Sequence, residues 1–352
     1  MALDEARFRD IISGRAKDPA AAVLRPLLRA ASLPYGAAMA VRRMAYRRGW
    51  KQSCAAGVPV ISVGNITTGG TGKTPLVAWV VNVLKEQGRR PAVLIRGYKG
   101  QGGQSDEAAL LAGLTDSPII VNPDRVAGAA AARAGGADVL VMDDGFQHCR
   151  LRRDLDIVTI DATCPFGYDA MLPRGLLRES TAALAGADVL VLTRCDQATP
   201  SDLSSIRARL GELAPQALLA ETAARPTMIA SMTGPVQPAE TLAGRTAWAF
   251  CGLGNPESFY RTLEDLGLRL LGKTTFNDHH AYAAADLKQI LEKADAAGSE
   301  CVLTTAKDAV KLQGLDPQLV GRIGWVHIEL VFLAGQGPLE EHLRQMAGGS
   351  KN

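Results

Sequence analysis

Gly69, Gly70, Thr71, Gly72, Lys73 and Thr74 form the stretch of this chain best suited to chemistry. Glycines let backbone N–H groups converge on phosphate oxygens, and a following helix N-terminus adds positive potential. Lys73 would then reach the β- and γ-phosphates of a nucleotide such as ATP, and Thr74 would ligate Mg²⁺. The context fits: an apolar run at 58–63 precedes the loop and a helical stretch at 75–85 follows it. One position departs from the strict G-x-x-x-x-G-K-[ST] pattern, because Thr67 stands where the first glycine is expected.

Further groups could complete a phosphoryl-transfer site. The run Val139-Leu140-Val141-Met142 reads as a buried strand and ends in Asp143 and Asp144, the place where a second strand of a P-loop protein supplies a carboxylate to Mg²⁺ or its water. Gln147 and His148 follow on the same rim. Asp106 and Glu107 open a helix after the strand at 91–96 and its loop through Tyr98 and Ser105, which puts them at the phosphate edge. Their type allows proton transfer from an acceptor, and equally a dipole or capping role. His279 and His280, within Asn277-Asp278-His279-His280, could bind metal, act as acid and base, or lie on a wet loop; no further ligands at suitable spacing make a zinc site. Thr193-Arg194-Cys195-Asp196 stands where GTPases read guanine, but Arg194 replaces the lysine of that element.

The elements that must carry these groups alternate. Strands are expected at 91–96, 118–121, 138–143, 155–161, 188–193 and 217–220, and helices at 106–112, 124–134 and 202–213. Continuous apolar strands between helices predict an α/β, P-loop NTPase-type, mostly parallel sheet covered on both faces. Pro226, Pro235 and Pro238 interrupt the rhythm and suggest a linker. A shorter α/β pattern follows (strand 246–251, helices 257–266 and 283–297, strand 301–304), then an extended run at 323–332 and a last helix from Pro338 to Met346. The expected organisation is a P-loop domain over 1–224, a linker strand region over 225–244, a smaller α/β domain over 245–322, a return strand over 323–332 and a C-terminal helix within 333–352.

Composition narrows the class. The 352 residues carry a net charge of +3, too small to argue for nucleic acid. From Pro19 to Lys51, however, Arg25, Arg29, Arg42, Arg43, Arg47, Arg48 and Lys51 meet no acidic residue and alternate with apolar ones. Basic amphipathic helices of this kind suit an anionic membrane surface, or a helical cap with a solvated rim. No uncharged apolar run is long enough to span a bilayer, and Asp4, Glu5 and Asp10 argue against a signal peptide at the N-terminus. Six scattered cysteines read as reduced thiols.

Taken together, these motifs resemble the tetraacyldisaccharide 4′-kinase family. The resemblance covers nearly the whole chain. It is carried by Gly69 to Thr74, Arg96-Gly97-Tyr98, Ser105-Asp106-Glu107, Asp143-Asp144-Gly145-Phe146-Gln147-His148, Leu172 to Glu179, Phe276 to His280, and Thr304 to Lys311. The Asp-Asp-Gly-Phe-Gln-His run is the most specific of these. Ser105 and Ala306 depart mildly from the family pattern, where Gly and Glu are common.

The resemblance implies an ATP-dependent kinase that phosphorylates the 4′-hydroxyl of tetraacyldisaccharide 1-phosphate to give lipid IVA. It implies a peripheral enzyme of the inner membrane's cytoplasmic face, with two domains joined by a two-stranded β linker; a monomer is the expected state, though the sequence does not fix it. It also implies Asp106 paired with His279 as the catalytic dyad, His280 remaining an alternative partner, with Asp143, Asp144 and Glu179 serving Mg²⁺ and positioning, and Gln147 near the phosphates. Two other classes stay open on the residues: a nucleotide-switch ATPase or GTPase, and a kinase or ligase acting on a small polar metabolite.

Overall fold

The computed structural model describes residues 5–97, 106–231 and 234–348. The loop positions Tyr98 to Ser105 quoted above therefore lie outside the described residues, as do Met1 to Asp4. Two helices open the chain, α1 (Glu5–Ser13) and α2 (Pro19–Arg47). Next come β1 (Val60–Asn65), α3 (Lys73–Glu86), β2 (Pro91–Ile95), α4 (Asp106–Thr115), β3 (Ile119–Val121), α5 (Arg125–Ala134), β4 (Val139–Asp143) and β5 (Leu155–Asp161). They are followed by β6 (Val189–Thr193), α6 (Pro200–Leu213), β7 (Leu218–Ser231), β8 (Gln237–Pro238), β9 (Thr246–Cys251), α7 (Pro256–Asp265), β10 (Arg269–Thr275) and α8 (Ala284–Ala296). The chain ends with β11 (Cys301–Thr305), α9 (Ala306–Lys311), α10 (Pro317–Val320), β12 (Ile323–Ala334) and α11 (Gln336–Gly348).

One sheet runs through the molecule in the order β10-β9-β11-β12-β7-β6-β5-β1-β4-β2-β3, with β8 on β7. The strands β1, β2, β4, β5 and β6 are buried along their whole length and pair in parallel. Their continuous Val, Ile and Leu runs are what a strand covered on both faces requires. Because they are parallel, their C-terminal ends share one edge, and the glycine loop after β1, Asp143 on β4, Asp161 on β5 and Thr193 on β6 all meet there.

The expected break after 225 does not end a strand. β7 starts parallel to β6 and continues as the antiparallel partner of β12, from Glu221 opposite Ala334 to Ser231 opposite Gly324. Pro226 sits where the register shifts between His327 and Ile328, a bulge where its missing N–H breaks no regular ladder bond. The far half of β12 lies over the loop helix: Phe332 packs against Trp79 of α3 with the ring planes tilted by 50° and 4.6 Å between ring centres. Separate cores form on the two sides of this ribbon, one around Ile61, Leu76, Val141 and Val191, another around Ala249, Phe259, Leu263 and Leu303. The last helix starts at Gln336, two residues before Pro338, so the proline occupies its first turn rather than its first position.

Candidate active site

The glycine loop explains its own departure from the consensus. Thr67 is extended and bridges to Leu177, and the Thr68 N–H donates to the Leu176 carbonyl at 2.8 Å. The left-handed positions are Gly69 (φ 105°) and Gly72 (φ 79°), so a glycine is needed there and not at 67. The loop is tied down on both sides: Thr71 Oγ1 lies 2.8 Å from Thr159 Oγ1 of β5 and accepts from Asn65 Nδ2, while the Thr193 hydroxyl of β6 donates to the Thr71 carbonyl at 3.0 Å. Gly72 caps α3 without a side chain, which leaves the first N–H groups of that helix to an anion. Lys73 and Thr74 are its first two residues.

Asp143 and Asp144 diverge because Asp144 has a positive φ of 52°. Asp144 turns to Lys73 Nζ, 3.6 Å away, and accepts from Arg178 Nη1 at 2.8 and 2.9 Å. Burial pushes its carboxyl up, but Lys73 and Arg178 outweigh burial and hold it below the usual carboxylate range. Asp143 stays in the interior. Burial, then the charge of Glu107, pushes it up to about 7 against the opposing pull of Lys73. Its Oδ1 is buried and has no hydrogen-bond partner among the described residues. Buried Arg125 donates to its backbone carbonyl at 2.7 Å.

An unpartnered buried carboxylate oxygen beside the loop fits a divalent cation. Among the described residues no three His, Cys, Asp or Glu side chains gather into a metal cage. Mg²⁺ is commonly held by one or two protein ligands together with substrate phosphates. Glu179, expected to serve Mg²⁺, is buried, and its carboxylate is paired here with Arg43 of α2. Gln147 donates to the Asn65 carbonyl at 2.7 Å, so it braces β1 behind the loop. His148 is pushed down to about 4 by burial and by Arg125 and Arg153, which keeps its ring neutral. Arg194 is engaged by Asp161 rather than turned to a base, and Thr193 serves the loop.

The opposite side of the ribbon supplies the remaining groups. His279 Nδ1 lies 3.8 Å from Asp106 Oδ2, although the two are 173 positions apart in sequence. His279 has a φ of 61°, and the reversal sends the neighbouring rings apart. The ring of His280 stacks on Phe276 at 4.3 Å, and its Nε2 meets Asp286 at 3.1 Å. Of the two histidines, His279 is the one that lies beside Asp106. The loop after β9 also reaches the phosphate site. A Cβ on Gly254 would stand 2.8 Å from the Gly70 nitrogen, and the next residue, Asn255, donates to Asp161 and Thr163 at 3.1 Å.

A model of the tetraacyldisaccharide-1-P 4′-kinase family matches residues 24–347. The chain belongs to this family. A tetraacyldisaccharide 4′-kinase of Anaeromyxobacter dehalogenans (strain 2CP-1) is 39% identical over 90% of this chain and 89% of the relative. One from Anaeromyxobacter sp. (strain Fw109-5) is 40% identical over 94% of this chain and 92% of the relative. The crystal structure of the "apo" form of LpxK from Aquifex aeolicus in complex with ATP superposes with a TM-score of 0.69 at 26% identity, covering 92% of this chain and 99% of that one.

For a tetraacyldisaccharide 4′-kinase family member, sequence reasoning missed several groups. Arg178 lies inside a motif that carried the resemblance but has no telling spacing. Arg125 is the first residue of α5, and only its burial marks it out. Gly254 and Asn255 read as an ordinary helix start, because their contact with the loop is entirely tertiary. The basic stretch also needs revision. Arg25 donates to the carbonyls of Ile11 and Ala16, and Arg43 to Glu179 and the Ala183 carbonyl, so both are structural. Arg29, Arg42, Arg47, Arg48 and Lys51 remain exposed.

Proposed function

We propose that this chain transfers the γ-phosphate of ATP to the 4′-hydroxyl of tetraacyldisaccharide 1-phosphate, forming lipid IVA in lipid A biosynthesis. The observation that carries the reading is the approach of His279 to Asp106 at the edge of the sheet that bears the glycine loop and Lys73.

The acceptor hydroxyl oxygen attacks the γ-phosphorus, the bond to the β-phosphate oxygen breaks, and ADP departs. The hydroxyl proton passes to the Asp106–His279 pair. At 3.8 Å the two side chains are an ion-pair distance apart, and a shift of about 1 Å brings them within hydrogen-bond reach, as catalytic pairs commonly tighten with substrate. Lys73 and the loop amides neutralise charge that develops on the phosphates, the larger part of catalysis in phosphoryl transfer. Thr74 and Asp143 are the residues that would hold Mg²⁺, whose bound charge would offset that of the β- and γ-phosphates.

Two cavities are available to the substrates. One of about 400 Å³ is lined by Tyr35, Met39 and Arg42 of α2 together with Arg96, Arg125, Arg178 and the Asp143–Asp144 pair, and it suits the phosphorylated sugar. Another of about 620 Å³, lined by Thr163, Gln197, Asn255 and Arg261, offers room for the nucleoside.

We take the regions on either side of the β7–β12 ribbon as two domains that close on the nucleotide. The acyl chains explain α2. Val23, Leu27, Ala30, Pro34, Ala37, Val41 and Met44 recur at three- and four-residue spacing and are all exposed, an apolar stripe on one helix face. Such a face, rimmed by Arg29, Arg42, Arg47 and Arg48, supports peripheral binding to the cytoplasmic leaflet, each basic residue contributing about 1 kcal/mol near an anionic surface. No described helix is long and apolar enough to cross a membrane. The chain is taken to act as a monomer.

The test is label transfer from γ-labelled ATP with Mg²⁺ to tetraacyldisaccharide 1-phosphate in detergent micelles. Label in the lipid, lost with Lys73→Ala, is the expected result. Label released only as free phosphate, equally with and without lipid, would overturn the reading in favour of a nucleotide switch.

A further inference from the structure

The motif Thr304-Thr305-Ala306-Lys307-Asp308 has no part in the mechanism above, yet it lies next to it, because α9 packs against α4, the helix that begins with Asp106. Asp308 is wholly buried. It accepts from the Gly252 N–H at 3.0 Å, the Thr305 hydroxyl at 2.8 Å and Lys311 Nζ at 2.9 Å. That joins the loop after β9, the end of β11 and the start of α9 into one rigid corner. Lys307 projects from this corner, and its Nζ donates to Asp278 Oδ1 at 3.0 Å.

Asp278 is the residue before His279. Its Oδ1 also accepts the His279 backbone N–H at 3.0 Å, and its Oδ2 stands 4.0 Å from His279 Nε2. The imidazole thus lies between two carboxylates: Asp106 on the Nδ1 side at 3.8 Å and Asp278 on the Nε2 side at 4.0 Å. Asp106 opens the helix at the phosphate edge, whereas Asp278 Oδ2 lies beside Gly254, 3.3 Å from where a Cβ on that residue would stand. From these contacts we infer that Lys307 is a positioning residue for phosphoryl transfer: it holds the Asp278 carboxylate off the His279 ring and leaves the imidazole to Asp106. This rests on the Asp106–His279 reading of the site.

The charges around the ring support it. From α4 come Asp106 and Glu107, the latter directed at Asp143; from α9 come Lys307 and Lys311, the latter held by Asp308; Lys73 on the loop is held by Asp144. Burial pushes the Asp278 carboxyl up, while Lys307, and to a smaller extent His279, pull it below its ordinary value. Without Lys307, a half-buried anion would have His279 as its remaining close cation. The ring would then be held protonated, unable to take the hydroxyl proton.

The experiment is the pH dependence of kcat for lipid phosphorylation by the full chain and by Lys307→Gln, Lys307→Arg, Asp278→Asn and the Lys307→Gln/Asp278→Asn double variant, each first checked for an unchanged melting temperature. Lys307→Gln should lower kcat at neutral pH and move the acid limb up by roughly one unit, the size expected when an opposite charge at this distance loses its counter-ion. Its KM for ATP should stay within about twofold of wild type, because the group lost touches no phosphate in this proposal. Lys307→Arg should keep the wild-type limb, and the double variant should return it. A merely structural lysine would leave the limb in place, and that result overturns the inference, as does a raised KM for ATP with an unmoved limb. Asp106→Ala and His279→Ala separate the two levels. If either leaves turnover intact, the reading of the site fails; if both abolish it while Lys307→Gln leaves the limb unmoved, only the role of Lys307 fails.

Discussion

Replacing Gly254 by alanine tests whether the two sides of the ribbon meet at the phosphate loop during turnover. The added Cβ would stand 2.8 Å from the Gly70 nitrogen and 2.9 Å from the Gly69 Cα, both backbone atoms, where ordinary contact begins at 3.4 Å. A rotamer change cannot relieve an overlap with backbone. Overpacking of this kind costs about 1–3 kcal/mol, which corresponds to roughly a 5- to 150-fold smaller population of the closed arrangement. On the proposed two-domain reading the strain has an outlet: the β7–β12 ribbon would flex and let the second α/β region lift away, so folding need not bear the cost. Label transfer at saturating substrates should therefore fall within that range, while the melting temperature shifts little and Lys73 still binds nucleotide. Turnover within twofold of wild type would refute the reasoning, since it would mean that Gly254 does not approach Gly70 in the reacting enzyme. So would a loss of turnover matched by an equal loss of folding stability, because the ribbon would then not be the hinge.

Other expectations follow from the same geometry. Asp106→Asn and His279→Ala should each lower kcat by roughly 10²–10⁴ with ATP affinity nearly unchanged, whereas His280→Ala, whose ring serves Asp286 and Phe276, should cost less than tenfold; steady-state kinetics and nucleotide titration read both. Asp143→Asn should abolish activity yet stabilise the protein in the absence of nucleotide and Mg²⁺. The folded-state value of about 7 lies above the ordinary carboxyl value of 3.8, so the native state retains a proton that the unfolded chain has lost, and stability falls as pH rises between these values. The gain from Asp143→Asn should therefore be absent below about pH 4 and reach a few kcal/mol above pH 7, as measured by urea unfolding at the two ends of the range. Val23→Ser with Leu27→Ser and Val41→Ser should weaken sedimentation with anionic vesicles without moving the melting temperature, because these side chains are 55–63% exposed and support no core.

The parts legible in the sequence are those whose physics is local. A strand buried on both faces must be continuously apolar, so β1, β4, β5 and β6 announce themselves, and the carboxylates that end β4 and β5, Asp143 and Asp161, mark the functional edge. The glycine loop is legible for the same reason, since its left-handed positions admit few other residues. Thr67 looked like a fault only because the consensus counts glycines rather than dihedral angles. Pro226 misled in the opposite direction. Proline is a breaker in the middle of a ladder but tolerable at a bulge, and only the pairing of β7 with β12 decides which of these it meets.

What the sequence hid is held together by long-range charge. Glu179 next to Arg178 reads as one more acid near a metal, and nothing local reveals that Arg43, on a helix 136 positions earlier, neutralises it. Removing Arg43 would leave a buried carboxylate without a partner, a loss of about 3–5 kcal/mol and far more than an exposed arginine is worth. On the proposed reading the basic helix is two things at once: Arg25 and Arg43 weld it to the body of the protein, and Arg29, Arg42, Arg47 and Arg48 would remain for a surface. A helix that only anchored the enzyme could be attached by a flexible tether. This one packs Tyr35, Met39 and Arg42 into the wall of the cavity that ends at Asp143, so a lipid held on its apolar face would have its headgroup beside the phosphate loop. The Arg43→Met variant separates the two roles. If the weld matters, it should keep vesicle binding and lose turnover, because membrane attachment would survive without the geometry that delivers the hydroxyl to Asp106.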